Sequence, residues 1–130
     1  MFVLDTNTLI YFFKGKGRVA KRMFMEKPGN IGIPAVVLYE LETGIAKSTS
    51  PLKRTKQLRA VLEATSVLPF NEKEAKASAV IRADLEKKGL SIGPVDILIA
   101  GTALANPGTL VTHNLTEFGR VDGLKITDWF

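Results

Sequence analysis

Four carboxylates stand where the surrounding sequence offers them no evident structural task. Asp5 ends the apolar run Phe2-Val3-Leu4; Glu40 is the only charge between Gly29 and Leu41; Asp96 is the only charge between Gly89 and Asn106; Glu117 closely follows the apolar run Thr109 to Thr112. Taken singly, each could be a helix cap or half of an ion pair, and Asp96, in the first turn of a helix, would also be stabilised by the helix dipole. Taken together they pose an electrostatic problem. Two carboxylates ~4 Å apart repel by about 1 kcal/mol in water and about 4 kcal/mol at an effective dielectric of 20. Lysine and arginine are almost absent from these segments, so a compensating cation must come from outside the chain. With no cysteine and a single histidine, His113, a thiolate or multi-histidine zinc site is excluded. An oxygen donor set favours magnesium or manganese. An ion held by Asp5, Glu40, Asp96 and Glu117 would activate a water and stabilise charge on a phosphoryl oxygen, which is the chemistry of phosphodiester hydrolysis.

The elements that must position these acids can be read from periodicity and caps. Phe2 to Leu4 has the continuous apolar character of a strand buried on both faces. Thr6, Asn7 and Thr8 are expected to cap the helix that Leu9, Ile10, Phe12 and Phe13 pack inward. In open α/β sheets the ligand crevice lies outside the carboxyl ends of the strands, which is where this pattern places Asp5. A second helix is expected around Val19, Ala20, Met23 and Phe24, and a strand at Ile31 to Ile33. Pro34 suits the first turn of a helix whose inward stripe is Val37, Leu41 and Ile45. Glu40 flanks that stripe, whereas Glu42, about 200° round the wheel from it, faces solvent. Pro51 opens another helix, Ser66 to Phe70 reads as a strand, and Asn71 with Glu74 forms a capping-box signal for a structural helix ending at Gly89. The helix from Pro94 is apolar nearly all round and therefore central and buried. Thr109 to Thr112 and Leu124 to Ile126 are the remaining strands. Asp128-Trp129-Phe130 forms a tail whose aromatics pack on the body or on a partner. With strands and helices alternating and no hairpin signal, the expected fold is α/β: a parallel sheet covered by helices on both faces, in one domain spanning residues 1–130.

Around the acids, Asn7, Thr112 and Asn114 would fix the carboxylates or an ion-bound water through hydrogen bonds, or cap turns. His113, alone on a loop, fits exposure or a phosphate contact better than general-base catalysis. Tyr11, Tyr39, Phe12 and Phe13 fit the core better than a base-stacking surface.

The charge balance complements a negative pocket. Of 13 acidic residues, setting these four aside leaves nine against 18 basic ones. Lys14, Lys16, Arg18, Lys21, Arg22 and Lys27 fall in one block opposed only by Glu26, and Lys47, Lys53, Arg54, Lys56 and Arg59 fall in another without an acid. Each block alone could be a solvated helix face. Two blocks beside an acidic site point to a nucleic acid whose flanking phosphates they hold, with Lys14, Lys16, Arg18, Lys21, Arg22, Lys53 and Arg54 as the candidate contacts. No basic leader precedes the first apolar residues and the run breaks at Asp5, so neither a signal peptide nor a membrane span is expected, and the protein is expected in the cytoplasm.

Four blocks then resemble, in order and spacing, those of PIN-domain ribonucleases, specifically VapC-type toxins of toxin-antitoxin pairs: LDTNTLIYF, IPAVVLYELETG, IGPVDILIAGTA and LVTHNLTEFGRVDGLKITDW. The resemblance spans essentially the whole chain. It implies an α/β/α sandwich, usually a homodimer, and magnesium- or manganese-dependent cleavage of structured RNA such as tRNA or ribosomal RNA. It further implies a cognate VapB antitoxin whose C-terminal segment covers the site. Metal binding and catalysis carry over to Asp5, Glu40 and Asp96. The fourth acid is Glu117, as in one VapC subgroup, or the position is that of Asn114, where many PIN domains have aspartate. A PIN-fold nuclease without a toxin role, acting in RNA processing or on DNA, would share this fold and these acids, and an inactive PIN-like RNA binder would bind metal without cleaving. A receiver-like signalling domain, the other small α/β fold with an acidic pocket, requires an aspartate ending a middle strand, and Val67 to Phe70 has none.

Overall fold

In the computed structural model, which describes residues 1–130, strands and helices alternate from end to end. β1 (Phe2–Leu4) leads into α1 (Thr6–Lys14) and α2 (Val19–Phe24), and a 3-10 turn at Pro28–Asn30 precedes β2 (Ile31–Pro34). α3 (Ala35–Ala46) and α4 (Pro51–Ala64) lead to β3 (Ser66–Leu68); α5 (Glu72–Lys88) and α6 (Pro94–Ala105) lead back to β4 (Thr109–Val111); α7 (Leu115–Phe118) joins β5 (Ile126–Thr127). The strands form one parallel sheet in the order β3-β2-β1-β4-β5, with helices on both faces in a three-layer α/β/α sandwich. Parallel crossovers are right-handed, so the helices of the outward steps from β1 to β3 lie on one face and those of the return towards β4 and β5 on the other. The strand order therefore reverses between β1 and β4, and a crevice opens at their carboxyl ends.

The continuous apolar runs of β1 and β4 are explained by this central position. Val3, Leu4, Leu110 and Val111 have no solvent exposure. On β2 the neighbouring Ile33 is equally buried, whereas β3, at the sheet edge, leaves Ser66 and Val67 exposed. α6 is buried along Ile97 and Ile99 to Ala103, as its all-round apolar sequence requires. It packs unusually closely on α5: a Cβ at Gly101 would collide with the side chain and backbone of Ser78. The junction is closed by Glu74, a fully buried acid that accepts from Asn71 N–H at 2.8 Å and Asn106 Nδ2 at 3.1 Å, so the capping box of α5 also ties down the end of α6.

Several local expectations are corrected. Asp5 itself caps α1, with Oδ1 accepting from the Thr8 amide at 2.9 Å; Thr6 to Thr8 already belong to the helix. Pro34 ends β2 and stands immediately before α3. β3 stops at Leu68 because Pro69 has no N–H to continue a ladder. The last strand begins at Ile126, since Leu124 is bound into a turn through Val121 O. On α2, Val19 and Met23 point inward, but Phe24 is 80% exposed; Tyr39, expected in the core, is 65% exposed.

Candidate active site

Asp5 is fixed more tightly than a surface acid could be. Its N–H extends the β1–β4 ladder by bonding Val111 O at 3.2 Å, and its side chain caps α1. Thr8 Oγ1 bonds Val111 O at 3.1 Å, pinning the helix start to β4. Burial raises the Asp5 pKa above its ordinary 3.8, against the lowering effect of hydrogen bonds from the side chain of Thr112 and from Thr8; repulsion by Glu40 adds to the rise.

The other acids arrive on separate elements. Glu40 projects from α3, half-buried, and its Oε1 accepts a hydrogen bond from the Thr6 hydroxyl at the start of α1, while Glu42 is exposed. α6 touches α3 and carries Asp96 in its first turn. Running opposite to the parallel strand it feeds, α6 places that turn at the carboxyl edge of the sheet. The Asp96 pKa is pushed up to about 6, chiefly by burial and then by the negative charges of Glu117, Asp5 and Glu40. Glu117 lies in the first turn of α7, whose cap is Asn114. All four predicted acids thus share one electrostatic environment, and none forms an ion pair with lysine or arginine.

Whether this site suits a divalent ion can be judged from its donors. They are hard carboxylate oxygens without a competing internal cation. No three of them stand close enough to enclose an ion by themselves. An ion bound here would be held through one or two of them and would keep several of its waters, as magnesium does.

The expected supporting residues separate. Thr112 is fully buried and its hydroxyl hydrogen-bonds Asp5 while accepting the Asn114 amide at 3.0 Å. Asn114 Oδ1 in turn accepts from Glu117 N–H at 3.4 Å, so Asn114 positions the α7 turn that carries Glu117. Asn7 is exposed and makes no side-chain hydrogen bond to the acids. Thr6 holds Glu40 instead, a role for which its sequence neighbourhood gave no signal beyond helix capping. His113 pairs with Asp128, with Nδ1 and Oδ2 2.8 Å apart.

Among the basic candidates, Lys14 and Arg54 line a groove of about 350 Å³ that also contains Glu40, with Ile10, Phe13 and Leu41 in its wall. Lys16, Arg18, Lys21, Arg22 and Lys53 lie on the exposed surface outside that groove.

Residues 2–124 match the family described as PIN domain. The chain is 35% identical over 128 residues to the tRNA(fMet)-specific endonuclease VapC of Salmonella typhimurium, covering 98% of this chain and 97% of that protein. It is 34% identical over 131 residues to ribonuclease VapC2 of Rickettsia felis, covering 99% and 98% of the two. The crystal structure of DNA-bound VapBC from Salmonella typhimurium superposes with a TM-score of 0.93 at 35% identity, covering 99% of this chain and 98% of that one. With its fold, its acids and its full-length similarity agreeing, this chain belongs to the PIN-domain family and to the VapC-type proteins within it.

Proposed function

We propose that this protein is a magnesium- or manganese-dependent endoribonuclease toxin that hydrolyses phosphodiester bonds in structured RNA, tRNA or ribosomal RNA, and is held in check by a VapB-type antitoxin. The observation that carries this reading is the convergence of four carboxylates from four elements with no internal cation to balance them. One or two of Asp5, Glu40, Asp96 and Glu117 would hold the ion directly and the others would hold its waters. When bound, it would supply an activated water and neutralise charge developing on the phosphoryl oxygens. Thr112 and Thr8 keep the Asp5 carboxylate aimed into the crevice, and Thr6 does the same for Glu40. Lys14 and Arg54 hold the phosphates next to the scissile one in the adjoining groove. The similarity to a relative named for tRNA(fMet) makes tRNA the first substrate to try, and the VapBC complexes among the similar structures support an antitoxin partner. The working form is a homodimer in the cytoplasm; no helix of the chain is long and apolar enough to cross a membrane.

The test is incubation of bulk tRNA and ribosomal RNA with the purified protein in magnesium or manganese, in EDTA, and as Asp5→Asn, which retains a side chain able to cap α1. Discrete fragments that vanish with EDTA and with the substitution are expected, and end mapping then identifies the target. Intact RNA in both metals would overturn the reading. Growth arrest on expression without the antitoxin separates a toxin from a processing nuclease.

A further inference from the structure

Between Thr112 and Asn114, which contact Asp5 and the Glu117 turn, His113 carries one of a pair of stacked rings that neither the catalytic reading nor the core requires. His113 and Phe130 have centroids 4.3 Å apart at an interplanar angle of 24°, and Tyr11 meets Phe130 edge-on at 4.9 Å. Anchoring of the tail is already accomplished by Trp129, which is 2% exposed and packs on Phe2 at 5.1 Å. The stacked rings instead stay open: the His113 side chain is 46% exposed and Phe130 40%. They are nevertheless held rigidly. Asp128 bonds His113 Nδ1 at 2.8 Å through one oxygen and the Phe130 amide at 2.9 Å through the other, so its charge is engaged on both sides. Gly17, with φ of 62°, lies so close to the Phe130 backbone that a Cβ there would meet it at 2.9 Å.

The location gives the stack a use. His113 directly follows Thr112, the residue bonded to Asp5, and precedes Asn114, which positions Glu117. On its other side is the turn after α1, where the Lys16 amide bonds Tyr11 O at 2.9 Å and Lys16 and Arg18 stand exposed. The open aromatic pair is thus joined through the chain to residues that contact the acids and through Tyr11 and Gly17 to the turn that carries the cations. Single-stranded nucleic acid is held by this combination, since each unstacked base can lie on a ring while cations track the backbone.

We propose that His113 and Phe130 form a stacking subsite for an unpaired nucleobase next to the scissile phosphate, with Lys16 and Arg18 holding the adjoining backbone. The proposal rests on the nuclease reading but is tested apart from cleavage. The probe is a short fluorescein-labelled oligouridylate in EDTA, compared by anisotropy with an abasic strand of equal length. Tighter binding of the strand with bases is expected, by about 5-fold or more. His113→Ala should erase that preference, and His113→Phe, which keeps a ring but loses the bond to Asp128, should preserve it. Lys16→Ala should weaken both strands alike. Equal binding of the two strands by the unaltered protein, binding of neither, or a preference that survives His113→Ala would overturn the subsite. None of these outcomes touches the metal-dependent cleavage test.

Discussion

Asp5 serves as helix cap, ladder extension and acid at once, so its chemistry can be separated from its structural role only by substitutions that keep the shape. Thr112→Val removes the hydroxyl that steadies Asp5 and leaves a side chain of similar volume in a fully buried position. By analogy with groups that orient metal ligands, turnover is expected to fall about 10- to 100-fold. RNA affinity in EDTA should stay unchanged, and a loss of affinity equal to the loss of turnover would assign Thr112 a binding role instead. Asp96 yields a stability prediction. Its pKa lies near 6 in the folded protein against 3.8 ordinarily, so the folded state binds its proton more tightly than the unfolded state does. Such a group carries no penalty below the lower value; stability falls as pH rises between the two, and the penalty is complete above the higher. Asp5 shifts in the same direction. In EDTA the melting temperature should therefore drop between about pH 4 and about pH 6. Asp96→Asn should flatten that drop and stabilise the protein at neutral pH by about 1 kcal/mol, after discounting for a half-open, water-screened position. A melting temperature that rises over this interval would contradict the repulsion among the four acids.

At the scale of elements, the site depends on how firmly α6 is seated, because Asp96 rides on its first turn. The close approach of Gly101 to Ser78 lets α5 and α6 pack tightly, and Glu74 with Asn106 locks their ends. Gly101→Val would insert a branched side chain into backbone and side-chain atoms that cannot both move aside. A loss of about 1–3 kcal/mol or more is expected in urea denaturation, with the midpoint moving and the slope retained. Ala79→Ser, on an exposed position of α5, should leave the midpoint in place.

For the whole molecule, the separation of charge governs binding. A cluster of acids sits at the carboxyl edge of the sheet, while Lys14 and Arg54 stand at its border and the remaining basic residues of both blocks extend outward. Each phosphate that the protein no longer neutralises should lower the slope of log affinity against log salt by about 0.7 for a single strand. Combined Lys14→Ala and Arg54→Ala should therefore reduce that slope by somewhat more than one unit, measured with a catalytically silent Asp5→Asn protein. An unchanged slope would place the RNA backbone elsewhere.

Element order, the buried character of β1, β4 and α6, and all four acids were legible in the sequence, because apolar periodicity, caps and isolated charges are local properties. Even the choice of Glu40 over Glu42 needed only the pitch of a helix. Tertiary structure alone decided what meets across long separations: Thr6 with Glu40, 34 residues apart, Thr8 with the Val111 carbonyl, 103 apart, and Thr112 with Asp5. It also set the β3-β2-β1-β4-β5 order, left Phe24, Tyr39 and Asn7 outside, and stacked His113 on Phe130. Nothing in the periodicity of one segment specifies which face of another it will meet. That choice is made by the joint burial of all the elements on one sheet.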